Sequence, residues 1–402
     1  MIRRNDEKTP MIAGPTPVAA QRINKDSVTT EHIAVLQSVR GLAAAVAVIQ
    51  HIATVYTLPK QTHLWFDVVF NAHAAVVIFF VLSGYVLAKS LLRSGLQPHS
   101  VLAFYVRRLF RIYPAVWVAS ALALVMVLGL RNFEIAPRPT DWLMSYSPMS
   151  VTFRQVVTAF AAVGDRLIAP IWTIFVELVG SLAIPGLLLL LRRRQAVVPL
   201  FVVLAVVSYV AVDAPHGLRA LGYLLNFSLG VAIAIDNPLK TWSILRVKMT
   251  AIFGLLCMTA GRPLVFLCLG EGFQPLTYRY GDPTVAFIEA IGAAALVAAL
   301  SIDRLRLPTL HSKPVVYLGD ISYGLYLIHF PVMLASAKVL GQVFSNETNP
   351  FLATGVLGLV TLVLSIAFAH LMYRYVELPG IAFGRRTVAH FSTQRMIVDK
   401  VS

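Results

Sequence analysis

The sequence has little charge, since only 13% of its 402 residues are Asp, Glu, Lys or Arg while 57% are hydrophobic. In soluble globular proteins about a quarter of the residues are charged, so this composition excludes a soluble globular protein. The apolar residues form runs of about 17 to 25, the length that crosses a bilayer as a helix. The chain is therefore predicted to be an all-α, polytopic membrane protein with about ten transmembrane helices in one bundle.

Cysteine and acidic residues are scarce as well. The two cysteines, Cys257 and Cys268, share one apolar run, where two thiols build neither a disulfide scaffold nor a closed metal site, so no metal is predicted. Acidic residues number 19 against 34 Lys and Arg. The basic excess lies in short loops between apolar runs rather than along an exposed face. It therefore indicates membrane topology and argues against nucleic acid as a partner.

Ten apolar segments make up the predicted spans, near 33–57, 69–92, 110–130, 169–191, 196–212, 219–235, 249–269, 284–301, 321–341 and 351–376. Most Lys and Arg residues fall on one side of such a bundle, and an even number of spans then puts both termini in the cytoplasm. The predicted division is a disordered cytoplasmic tail at 1–30, a membrane domain at 31–386 and a cytoplasmic C-terminal tail at 387–402.

The first apolar segment carries two polar residues, Arg40 and His51. Such residues are costly inside a membrane helix, so their presence indicates a function or a specific partner. Their spacing is three helical turns plus about 20°, so both project from one helix face, about 16 Å apart along the axis. Arg40 can hold an anion, and His51 can act as a base because an imidazole titrates near neutral pH. The structural alternative is a positive-inside anchor at Arg40 and an interhelical hydrogen bond at His51.

Five further motifs follow Arg40 and His51: FFVLSGY at 79–85, RRLFRIYP at 107–114, WTIFVE at 172–177, ISYGLYLIHFP at 321–331 and YRYVELP at 373–379. In this order they resemble the acyltransferase 3 family of integral membrane acyltransferases. The resemblance implies an inner-membrane, multi-pass O-acyltransferase. Such an enzyme is expected to move an acyl group, expected to be acetyl, from acyl-coenzyme A to a hydroxyl of a cell-envelope or secreted saccharide.

The resemblance assigns the donor site to arginines. Arg108 and Arg111 match the family's Arg-x-x-Arg pair, which is associated with acyl-coenzyme A, and they share a helix face. Guanidinium groups suit this task because their planar donors bind phosphate oxygens in pairs. Arg40 is the third expected donor-site residue. A positive-inside anchor explains Arg107 equally well.

His51 and Glu177 are the predicted catalytic residues. Counted from the ends of their spans, they lie about 9 Å and about 10 Å below the same surface. Glu177 is therefore predicted to orient and charge-stabilise His51, as the carboxylate does in a catalytic triad. A structural hydrogen bond at Glu177 is an equal alternative. A second group of candidate site residues comprises Ser83, Tyr85, Trp172, Tyr323, His329, Arg262 and Glu289.

Two of these candidates, Arg262 and Glu289, lie in consecutive predicted spans, roughly 10 Å and 8 Å below the outer surface. Each charge alone costs about 2.5 to 3.5 kcal/mol in a membrane helix, so the two are predicted to pair. In the alternative, Arg262 faces an aqueous cavity and binds the acceptor or an anionic membrane lipid.

The long outer connection at 131–168 contains aromatic and charged residues, namely Asp141, Trp142, Tyr146, Arg154 and Asp165. Long loops in compact proteins are usually functional or disordered. This one is expected to recognise an acceptor sugar by stacking and hydrogen bonding, or else to lie on the bilayer as a lid.

The sequence departs from the family at two places. Gln37 stands where the family usually has Asp, and the apolar residues at 178–180 follow the glutamate where polar or aromatic residues are common. The acceptor site is therefore expected to be unusual. The rival function is a membrane transporter of sugars or acylated lipids, because helices with buried ions also describe a carrier.

Overall fold

The computed structural model describes residues 17–147, 150–211, 214, 216–272, 274, 279–302, 304–305 and 307–401. These residues are mostly helical, and their one extended pairing is an isolated bridge between Tyr56 and Pro139. The α-helices are α1 Pro17–Ala53, α2 Lys60–Val69, α3 Ala72–Ser94, α4 Pro98–Gly129, α5 Asp141–Met144, α6 Phe153–Phe160, α7 Ile171–Leu191, α8 Arg194–Val210, α9 His216–Gly222, α10 Leu224–Ile235, α11 Ile244–Thr259, α12 Gly261–Cys268, α13 Pro283–Leu300, α14 Pro308–His311, α15 Lys313–Asp320, α16 Ser322–Leu340, α17 Pro350–Met372 and α18 Leu378–Val401. The predicted all-α class is confirmed for this part of the chain.

Within the described residues, eight helical segments are long and apolar enough to cross a membrane. Helices α11 and α12 are bent by 60° against each other and make a ninth if they form one broken span. The predicted span near 196–212 corresponds to α8, whose 17 residues fall short of the roughly 20 that a membrane helix needs. Length and composition thus support a multi-span membrane protein with eight or nine full spans.

Helix α4 begins earlier than the sequence predicted. Its first turn carries Pro98, at a position where proline favours helix initiation, rather than a residue near 110. The polar residues of its first turns lowered the hydropathy and hid this start. Arg108 and Arg111 consequently lie well inside a long helix and not at its entrance.

The terminal segments are also more helical than expected. Helix α1 reaches back to Pro17, so residues 17–30 of the predicted tail are helical, whereas residues 1–16 lie outside the described residues. Helix α18 runs through most of the predicted C-terminal tail.

Polar side chains start three of the long helices. Asn71 caps α3 by accepting from the backbone N–H of Ala74, and Asp282 and Asn349 cap α13 and α17 in the same way. Proline follows the cap in α13 and α17. These caps satisfy backbone N–H groups that a helix start leaves without partners.

Two clusters of buried apolar side chains hold the bundle together. The first includes α3, α7, α10 and α13, with Phe80 and Phe227 among its members. The second includes α1, α4, α16 and α17, with Phe330 near its centre. Close packing is the main source of helix association in a membrane, because lipid tails are as apolar as the side chains.

Helices α3 and α10 pack closest at glycines. A Cβ atom on Gly84 would lie 2.2 Å from the carbonyl oxygen of Phe227, and one on Gly230 would lie 2.1 Å from the carbonyl oxygen of Val81. Helix α3 is continuous through Ser83 and Gly84. The glycine at this point therefore serves the close approach of the two helices, with no break in α3.

We expect Gly84→Ala and Gly230→Ala each to lower the thermal unfolding midpoint of the purified protein, because forcing a methyl group into a packed interface costs about 1 to 3 kcal/mol. Gly355→Ala in α17 is the matched control, since its Cβ would meet nothing within 4 Å. Unchanged midpoints for both interface variants would contradict the close packing.

Candidate active site

Two large cavities that differ in their charge lie between the described helices. The first, called the His51 cavity, measures about 890 Å³ and is lined by His51, Trp142, Tyr146, Asp165, Trp172, Tyr223, Asn226 and Tyr280, among others. The second, called the arginine cavity, measures about 350 Å³ and is lined by Gln37, Arg40, Ser83, Arg108, Arg111, Glu177 and Tyr323, among others. Val76 and Tyr326 line both cavities. The two cavities therefore adjoin, and the boundary formed by Val76 and Tyr326 between them is called the neck.

His51 is held by a second histidine. Its Nδ1 lies 2.9 Å from Nε2 of His329, and Nδ1 of His329 lies 3.2 Å from the carbonyl oxygen of Leu325. A carbonyl oxygen can only accept, so His329 carries its proton on Nδ1, and its Nε2 is left to accept from His51. Nε2 of His51 is then without a proton and is free to act as a base.

The structure corrects the predicted partner of His51. Glu177 forms an ion pair with Arg108 and lines the arginine cavity, whereas His329 occupies the orienting position beside His51. The two predicted depths were similar, but depth does not determine the direction in which a side chain leaves its helix. Glu177 on α7 points towards α4, and the triad-like pairing with His51 was wrong.

The expected donor residues come together in the arginine cavity. Arg108 also donates from Nε to the hydroxyl of Ser181 at 3.0 Å. Arg111 lies 3.2 Å from Glu377 and beneath the cavity-lining ring of Tyr323, at 5.8 Å from its centroid. Two of the three arginines are thus paired with carboxylates, which is what charges in a low-dielectric interior require.

Gln37 connects Arg40 to a carboxylate. It accepts from Arg40 at 3.4 Å and donates to Asp320 at 3.0 Å. Asp320, at the end of α15, thus stands behind the residue at which the resemblance led us to expect an aspartate.

One residue of this charged group was missed by the sequence analysis. Glu377 is only 1% exposed and ends the π-helical turn Tyr373–Glu377. Its motif was noted, but its partner Arg111 is distant in sequence. A glutamate in the apolar region that follows α17 was the signal available, because an ionised group there needs a counter-charge.

Aromatic residues of the long connection line the other cavity. Trp142 lies 5.4 Å from the ring of His51, and Tyr146 lies 5.1 Å from that of Phe330. Burial, together with the charge of Asp165, raises the pKa of Tyr146 to about 12, so its hydroxyl stays protonated. Arg154 is exposed on α6. Residues 148 and 149 of this connection lie outside the described residues.

The predicted Arg262 and Glu289 pair is replaced by other direct contacts. Glu289 accepts hydrogen bonds from Nδ2 of Asn71 at 2.7 Å and from Nδ1 of His73. Arg262 stacks on Phe266 and reaches the carbonyl oxygen of Arg279 at 3.4 Å. Its charge still interacts with Glu289 electrostatically. His73, which the sequence analysis did not select, is therefore the direct partner of Glu289.

Tyr85, another of the candidate site residues, packs among apolar side chains. Tyr85 belongs to the first apolar cluster, with the ammonium of Lys89 5.8 Å from the centre of its ring. Among the described residues, no group of three or more His, Cys, Asp or Glu is arranged to hold a metal ion.

Comparison with known proteins identifies the family. The model of a family described as an acyltransferase domain matches residues 33–370. The chain belongs to the acyltransferase 3 family. The matched range contains the residues that line both cavities, and the match confirms the resemblance seen in the motifs.

Curated proteins similar to this chain include the peptidoglycan O-acetyltransferase OatA of Listeria monocytogenes, which is 25% identical over 79% of this chain and 52% of that protein. Nodulation protein 10 of Rhizobium leguminosarum is 28% identical over 67% of this chain and 73% of its own length. The O-acetyltransferase OatA of Staphylococcus aureus is 23% identical over 75% of this chain and 51% of that protein. The chain thus spans about half the length of the two OatA proteins. No solved structure matches the chain significantly.

The contacts of Glu289 predict the outcome of a charge swap. In Arg262→Glu with Glu289→Arg, the new arginine would face Nδ1 of His73 and Nδ2 of Asn71, the two groups that donate to the native carboxylate, and donors do not pair with donors. We expect the double variant to be no more stable than the worse single variant, each losing up to about 3 to 5 kcal/mol. Thermal unfolding in detergent measures this, with Glu289→Gln as the milder control. Recovery of stability in the double variant would restore the predicted pair.

Proposed function

We propose that this protein is a membrane-bound O-acyltransferase that moves an acyl group, most simply acetyl, from acyl-coenzyme A to a hydroxyl of a cell-envelope or secreted saccharide. The observation that carries the proposal is that a cationic cavity adjoins one that contains a histidine base, with Val76 and Tyr326 lining both. Family membership supports the reaction class.

The arginine cavity is the proposed donor site. Coenzyme A carries phosphates, and Arg40, Arg108 and Arg111 offer planar donors that bind such oxygens in pairs. Glu177 and Glu377 hold Arg108 and Arg111 in place until the donor arrives. Phosphates then compete with these carboxylates or use the guanidinium N–H groups that the carboxylates leave open.

Topology gives the reaction a direction. Arg40 lies towards the start of the α1 span and His51 towards its end. Basic residues cluster on the side of Arg40, which the positive-inside rule makes cytoplasmic. We therefore propose ten spans, counting α8 and the bent α11–α12 pair, cytoplasmic termini and an inner-membrane location. The donor enters from the cytoplasm, and the acceptor occupies the His51 cavity from the other side.

The proposed chemistry uses His51 as base and acid in turn. Nε2 of His51 removes the proton of the acceptor hydroxyl as its oxygen attacks the thioester carbonyl carbon. The carbon–sulfur bond then breaks, and the coenzyme A thiolate takes the proton from His51. His329 keeps the ring of His51 in the tautomer that this cycle requires.

The acceptor assignment rests on the lining of the His51 cavity and on the relatives. Trp142, Tyr146 and Trp172 offer aromatic faces, and Asp165 offers hydrogen bonds. Two of the relatives are named as O-acetyltransferases, one of them acting on peptidoglycan. The transporter alternative gains no support from these comparisons.

Acyl transfer can be measured directly. Purified protein in nanodiscs is incubated with labelled acetyl-coenzyme A and with peptidoglycan fragments or N-acetylglucosamine oligomers, and products are identified by mass spectrometry. We expect an O-acetylated saccharide and free coenzyme A. Saccharide binding without transfer to any acceptor would favour a carrier.

We expect His51→Ala to lower the rate of acyl transfer by about 10²- to 10⁴-fold, as removal of a general base does, while donor binding changes little. His99→Ala is the control, since His99 is exposed near the start of α4. A His51 variant that retains more than about a tenth of the wild-type rate contradicts the assignment.

We expect Arg108→Gln and Arg111→Gln to raise the KM for acetyl-coenzyme A much more than the KM for the acceptor. Arg108→Lys should restore binding only in part, because it keeps the charge without the planar fork. Glu177→Gln should raise the KM for acetyl-coenzyme A, as Arg108→Gln does, because Glu177 holds that guanidinium. It should not cause the large loss of rate expected for His51→Ala. If Glu177→Gln instead lowers kcat with an unchanged donor KM, Glu177 acts in the chemical step.

A further inference from the structure

One wall of the His51 cavity has polar groups that the proposed mechanism does not use. Tyr223, at the N-cap of α10, and Asn226, three residues later, both line this cavity. Residues at this spacing lie on the same side of a helix. Trp172 of α7 stands beside them, with its ring centroid 5.6 Å from that of Tyr223.

The side chain of Asn226 has an unsatisfied acceptor. The residue is only 5% exposed, its Oδ1 is itself buried, and within the described part of the chain that oxygen has no hydrogen-bond partner. A buried carbonyl oxygen without a donor costs about 1 to 3 kcal/mol. Such groups call for an explanation, and a ligand that supplies the missing donor is one.

The hydroxyl of Tyr223 is held by a buried network behind the cavity wall. Glu289 accepts hydrogen bonds from Asn71 and from Nδ1 of His73, and the second bond fixes the ring of His73. Nε2 of His73 then faces the hydroxyl of Tyr223 at 3.4 Å. When Nε2 accepts a hydrogen bond from the Tyr223 hydroxyl, the phenolic oxygen can still accept a hydrogen bond from a ligand.

The wall therefore has the phenolic oxygen of Tyr223 beside an aromatic ring, and rotation of the Asn226 amide, whose terminal torsion is broad, would bring a second acceptor to the cavity. A sugar ring suits this arrangement, because it carries neighbouring hydroxyl donors on its edge and C–H groups on its face. The volume of about 890 Å³ lies within the range of about 300 to 1,000 Å³ found for ligand pockets.

We propose that Asn226, Tyr223 and Trp172 form a saccharide subsite, which binds one ring of the acceptor while another ring is presented to His51. The subsite rests on the proposed function for its substrate class. It adds the residues that hold the acceptor, none of which takes part in proton transfer.

The test measures binding without a donor. Wild-type protein in nanodiscs is titrated calorimetrically with chitotetraose, and with cellotetraose as a second probe. We expect binding of at least one probe. Tyr223→Phe and Asn226→Leu should each weaken it about three- to tenfold, the loss expected for one hydrogen bond. Tyr105→Phe is the matched control, because it removes a hydroxyl that bonds the backbone of Leu182 instead.

Thermal unfolding separates a binding role from a structural one. Asn226→Leu removes an unsatisfied buried acceptor, so its midpoint should equal or exceed that of the wild type. A clearly lower midpoint would mean that Asn226 serves the fold, and would overturn the subsite. Absence of wild-type binding to both probes, or wild-type affinity in both variants, would overturn it as well.

Acyl transfer from labelled acetyl-coenzyme A is measured on the same proteins. Weakened binding in the variants, combined with no acyl transfer by the wild type, leaves the subsite standing and defeats the proposed reaction. Wild-type transfer with an unchanged acceptor KM in Tyr223→Phe and Asn226→Leu supports the reaction and defeats the subsite.

Discussion

The hydrogen bond between His51 and His329 joins α1 to α16 at the point where both cavities come close. It lets a bundle with few polar groups carry a free basic nitrogen, because each imidazole satisfies the other and the carbonyl of Leu325 fixes the proton. Helix α16 must pass through the middle of the bundle for this contact to exist, and His329 is accordingly fully buried. The neck residue Tyr326 belongs to the same helix, with its ring 5.7 Å from that of His329.

The buried charged groups also need partners, and they find them in groups of opposite charge. An unpaired ion is costly in the low dielectric of a membrane protein, so Arg108 and Arg111 each lie against a glutamate from another helix. These pairs tie α4 to α7 and to the end of α17. The residues proposed to hold the donor are thus also contacts that position the helices, and their removal affects stability as well as binding.

The sequence was a good guide to helices and a poor one to partners. Every predicted span overlaps a helix, because the length of an apolar run is a local property. Periodicity also gives which residues share a face, as for Arg108 and Arg111. It does not say which neighbour that face meets, so Glu177 was assigned to His51 and Arg262 to Glu289. Partners such as His73 and Glu377 depend on the packing of distant helices, which a single sequence does not encode locally.

The placement of Val76 and Tyr326 between the two cavities has a consequence for the cell envelope. In the proposed reaction only a few atoms cross the membrane in each cycle, since coenzyme A leaves by the side from which it came and the saccharide never passes Val76 and Tyr326. An enzyme of this kind exports chemical modification without exporting metabolite.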